Sequence, residues 1–146
     1  MPSRRTVITA LVVGFMVSIV HYVDNTVNYD DYPQGHVLGL PPPPLAGVVA
    51  AWLVFTAVGT LGLRLLLRGQ GKPAAWLLGF YAGSGLLGVG HYLVDGSIHM
   101  AWWRQLHVCA DIVCGALILA LAVQLGRTSP CTRKIPTELP LKSKVQ

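Results

Sequence analysis

Charge is what this sequence has least of: only 12% of its 146 residues are Asp, Glu, Lys or Arg, against roughly 25% in soluble domains. With 53% hydrophobic residues and a mean hydropathy of +0.55, the composition predicts an integral membrane protein. Acidic residues number six against eleven Lys and Arg, a net charge of +5. Nucleic acid is not the implied partner. The basic residues form no single patch with interleaved aromatics, and they flank apolar segments as orientation charges do.

Three cysteines exclude a disulfide framework. Cys109 and Cys114 stand five apart on one expected helix, so their side chains diverge, and Cys131 falls on the other side of the membrane. There is no soluble nucleophile motif, phosphate-binding loop, dinucleotide fingerprint or Cys-x-x-Cys. The closely spaced histidine boxes of membrane desaturases are missing too. No small-x-small cleavage site follows the first apolar run, so that run reads as a retained helix and not as a signal peptide.

What is present is a sequence of apolar segments with expected helices at about 6–23, 45–67, 74–94 and 106–125. The first spans about 27 Å, which leaves His21 near the far interface. Pro41 to Pro44 interrupt the chain, and Pro44 is placed to open the second helix. Gly69 to Pro73 is a turn, and Gly79-xxx-Gly83 offers a close helix approach. The fold class is all-α: an integral membrane four-helix bundle over 1–127, followed by a proline- and lysine-rich cytoplasmic tail, 128–146, expected to be disordered.

Ten of the eleven basic residues lie in the N-terminal lead, the loop between helices two and three, or the tail, so both termini are assigned to the cytoplasm. The outward loops and adjoining helix ends then hold all five histidines and five of the six acidic residues. His21-Tyr22-Val23-Asp24 resembles His91-Tyr92-Leu93-Val94-Asp95 seventy residues on, as two parallel-repeat helical hairpins would produce.

The candidate site follows from spacing. His91 with Asp95, and His107 with Asp111, are four apart and share helix faces, while His21 has Asp24 or Asn25 nearby. Ionisable groups at this depth are costly unless they are paired or bound. His21, His91 and His107 are therefore expected as ligands or bases, with Asp24, Asp95 and Asp111 as co-ligands or orienting groups. A divalent ion (Zn, Fe, Mn or Cu) held by His21, His91, Asp95, His107 and Asp111 suits this donor set. His36 and His99 read as solvated, and Tyr22, Tyr29, Tyr32, Tyr92, Trp102 and Trp103 as an interfacial aromatic belt. The leading function is metal-assisted or acid–base chemistry on a lipid-like or isoprenoid-like substrate. The alternatives are a metal- or haem-handling assembly protein and a structural subunit, homo-oligomeric or paired with another membrane protein.

Overall fold

The computed structural model describes residues 2–37 and 39–128, which form four α-helices joined by turns and short 3-10 segments. Helix α1, Arg4–Val27, opens on Ser3, whose hydroxyl accepts the Thr6 amide at 3.0 Å. That satisfies one of the donors every helix start leaves free. The helix continues past the expected end at 23 and carries His21, Asp24 and Asn25 on its last two turns.

Helix α2, Leu45–Leu67, begins where Pro44, at φ −63° and ψ 155°, turns the chain out of the proline run. It ends on Gly69 at φ 77°. The amides of Gly69 and Gln70 reach back to the carbonyls of Leu66 and Leu65 at 3.0 and 2.9 Å, the paired closure that a left-handed glycine permits. Helix α3 covers Gly71–Leu86, and α4 covers Trp102–Thr128, longer at both ends than expected.

The third segment corrects the single helix expected over 74–94. After Leu86 it tightens into a 3-10 helix, Leu87–Leu93, and Val94 is extended. Gly88 and Gly90 weaken α-helical preference there, and the 3-10 winding of three residues per turn breaks the i,i+4 register on which a His91–Asp95 pair depends.

Contacts between helices give their order. Gly14 of α1 lies against Ile118 of α4 while His21 meets Asp111, so these two helices run in opposite senses. Gly59 and Gly62 of α2 face Tyr81 and Leu78 of α3, also in reverse order. The tightest approach joins α3 to α4. A Cβ on Gly85 would collide with the Asp111 carbonyl, and one on Gly115 would stand 2.8 Å from the Ala82 carbonyl oxygen. A Cβ added at Gly79 or Gly83, the expected close-approach pair, would meet no neighbouring atom nearer than 3.5 Å. Leu78, Ala82, Ile118 and Leu121 fill the core between α1, α3 and α4, and a second cluster of Tyr32, Met100 and Val108 lies beneath the loops.

Helices α1, α2 and α4 are each long and apolar enough to cross a membrane. Their outer faces expose large apolar side chains such as Met16, Leu53, Val54 and Val113. Arg4 donates to the Leu67 carbonyl at 3.0 Å, tying the start of α1 to the end of α2. The tail beyond Thr128, including Cys131, lies outside the described residues.

Candidate functional site

The end of α1, the 3-10 stretch and the start of α4 meet opposite the Arg4 end, and there the buried ionisable groups gather. His21 and Asp111, each 3% exposed, are joined by a 2.7 Å contact from His21 Nδ1 to Asp111 Oδ2. An ionised carboxylate can only accept, so Nδ1 carries a proton, and in the neutral ring Nε2 then keeps its lone pair. Nε2 is buried and has no hydrogen-bond partner. The Gly85 approach to the Asp111 carbonyl sets how closely α3 packs on α4 at this residue.

The rings of His91 and His107 both lie 5.6 Å from that of His21. The Asn25 amide nitrogen is 3.2 Å from His91 Nε2, and since an amide nitrogen only donates, His91 accepts there and is protonated on Nδ1. His107 is not paired with Asp111. Its Nε2 lies 3.3 Å from Asp24 Oδ2. The expected pairing within α4 is corrected because Asp111 is taken by His21, across the α1–α4 contact.

Asp24 binds the loop to α4. Asn28 donates to its Oδ1 at 2.6 Å, the Tyr32 hydroxyl donates to Oδ2, and Arg104 Nε lies 3.3 Å away. Arg104 also donates to Asp31 at 2.6 Å and packs on the Trp103 ring, 4.9 Å from its centroid. Burial, reinforced by the Asp24 hydrogen bond, raises the Tyr32 phenol well above its usual range. Asp95 stands apart from all of this: it is exposed, beyond the 3-10 stretch, and forms no hydrogen bond or ion pair with His91. His36 and His99 are exposed as well.

A cavity of about 470 Å³ opens beside this cluster, between α1, α2, the 3-10 stretch and the loop 33–43. His21, Asn25, Tyr32 and His91 group together in its lining; the other walls are mostly apolar, among them Leu40, Val48, Ala51, Leu87 and Val94, with Tyr29 and Gln34 from the connection after α1. Among the described residues no group of three or more His, Cys, Asp or Glu side chains is arranged to hold a metal ion. The sequence places Tyr32 in an interfacial aromatic belt and leaves Arg104 outside the candidate site. Nothing local marks Tyr32 as an Asp24 partner, since the contact depends on how the chain folds back after the 3-10 turn Tyr29–Asp31. Comparison with protein families, with curated proteins and with solved structures gives no match.

Proposed function

We propose that this chain is a multi-pass membrane protein, a four-helix bundle with both termini cytoplasmic, that performs acid–base chemistry on a lipid-like substrate held in the cavity. The observation that carries the reading is His21 Nε2: it is buried without a partner on a residue lining a ligand-sized cavity, with its ring held from behind by Asp111. In this role His21 Nε2 takes the proton of a C–H beside a carbonyl, leaving an enolate that is reprotonated at a different atom of the same framework. The resulting imidazolium is stabilised by the Asp111 carboxylate, and the proton returns to the product in the reverse sense. His91 and Asn25 orient the substrate head, while Asp24 and His107 hold loop one against α4. Asp95 has no part.

The membrane assignment is supported by three long apolar helices with exposed apolar faces. It is supported also by the grouping of Arg4, Arg64, Arg68, Lys72 and Arg127 away from the site. The experiment is incubation of the purified protein with a membrane lipid extract, followed by mass spectrometry. A lipid altered by the native chain but not by His21→Gln or Asp111→Asn supports the reading, and an extract unchanged by native protein contradicts it.

The three neighbouring imidazoles support a second reading, a divalent-metal site that acts in catalysis or in metal or haem handling. It requires ring nitrogens to rotate to within about 2 Å of one point, whereas the acid–base reading requires only that the buried His21 Nε2 be opened to the cavity its residue lines. Elemental analysis of protein purified in mild detergent separates the two: stoichiometric metal that is lost in His91→Ala favours the second.

A further inference from the structure

We propose that the cavity takes a ligand with an uncharged polar head, an alcohol or ketone on an apolar isoprenoid-like body, and rejects phosphorylated forms of the same body. This rests on the reading of His21 as the acting base and names what that base acts upon. Among the described residues no Lys, Arg, Asp or Glu lines the cavity. Arg104, in the first turn of α4, is committed to Asp24 and Asp31. Arg4 is drawn to the Leu67 carbonyl at the far end of α2. A phosphate would therefore enter without a Lys or Arg countercharge, close to the Asp111 carboxylate that contacts His21. An unpaired anion taken from water into such a place is strongly disfavoured.

What the polar lining residues do offer fits a hydroxyl or carbonyl. His21 Nε2 is a buried acceptor without a protein partner, on a residue that lines the cavity. Asn25 gives one amide hydrogen to His91 and keeps its second hydrogen and its carbonyl oxygen. His91, accepting through Nε2, has an Nδ1–H donor. A hydroxyl can thus donate to His21 and accept from Asn25 or His91. The apolar remainder, from Val48 and Ala51 of α2 to Leu87 and Val94, matches a hydrocarbon body.

The test uses a matched pair, tritiated farnesol and farnesyl phosphate, which share one hydrocarbon body. Each is titrated onto the full chain in phosphatidylcholine nanodiscs. Farnesol is expected to bind saturably and at least tenfold more tightly than farnesyl phosphate. Val48→Trp, which fills the apolar part of the cavity, and His21→Gln should each weaken it about tenfold or more in protein whose circular dichroism is native. Farnesyl phosphate binding as tightly, with the same sensitivity to Val48→Trp, overturns the uncharged-head assignment and leaves the site standing. Farnesol binding indifferent to Val48→Trp, or no binding of either probe to folded protein, overturns the proposal outright. The lipid-extract assay then decides separately whether His21 acts on some other lipid.

Discussion

At the scale of single residues, the His21–Asp111 contact and the Asp24 cluster behave differently on substitution. Replacing His21 removes the reacting nitrogen but leaves Asp111 beside a water-sized void shared with Ser84. Fold loss should be modest while activity on an altered lipid falls about 10²–10⁴-fold. Arg104→Met strands the half-buried Asp24 and the more exposed Asp31 together. Chemical denaturation in detergent should show a loss of about 1.5–3 kcal/mol, the scale of charge-assisted hydrogen bonds; a variant as stable as the native chain would make the Asp24 cluster incidental. Tyr32 gives a pH signature. Its folded pKa is raised above the ordinary 10.0, so its stabilising contribution is complete below pH 10 and is lost as pH rises toward the folded value. Alkaline unfolding should therefore steepen from about pH 10, and Tyr32→Phe should lack that component.

At the scale of elements, the decisive feature is the change of winding at Leu86–Leu87. The spacing of His91 and Asp95 is legible in the sequence, but spacing becomes contact only if the helix stays α, and the glycine-rich stretch after Leu86 does not. The same limit applies to α4. His107 and Asp111 share a stripe as their spacing says, yet which acid serves which histidine is decided by α1 lying alongside, a non-local fact. The resembling His-Tyr segments do meet, with the His21 and His91 rings 5.6 Å apart, but one is α-helical and the other 3-10. Two glycine substitutions test the packing of this region. Gly85→Ala drives a methyl into the Asp111 carbonyl and should cost about 1–3 kcal/mol and displace Asp111 from His21. Gly90→Ala, with open space around it, should leave stability within about 0.5 kcal/mol. Equal melting temperatures for the two variants would contradict the close α3–α4 approach.

At the scale of the whole molecule, four helices are legible in composition alone, because long apolar runs broken by prolines and glycines leave few other arrangements for the backbone's hydrogen bonds. The cavity is not legible. It is bounded by the proline-rich loop and by α2, whose residues carry no chemistry of their own and show their role only once folded. The proposed orientation follows from the separation of Arg104 from the other basic residues. In a background with Cys109, Cys114 and Cys131 replaced by Ser, Gln34→Cys should react with an impermeant thiol reagent in intact cells, and Gln70→Cys should not. The reverse pattern would place the cavity on the cytoplasmic side.

The central claim is that Asp111 fixes the His21 ring with Nδ1 protonated and Nε2 bare toward a ligand. Nitrogen-15 NMR of selectively labelled histidine in nanodiscs, assigned by His21→Gln, reads this directly. The account predicts an Nδ1–H tautomer for His21 near neutral pH, disturbed in Asp111→Ala, with the Nε2 resonance moving when farnesol is added. An Nε2–H tautomer, or a His21 signal unchanged in Asp111→Ala, would contradict it.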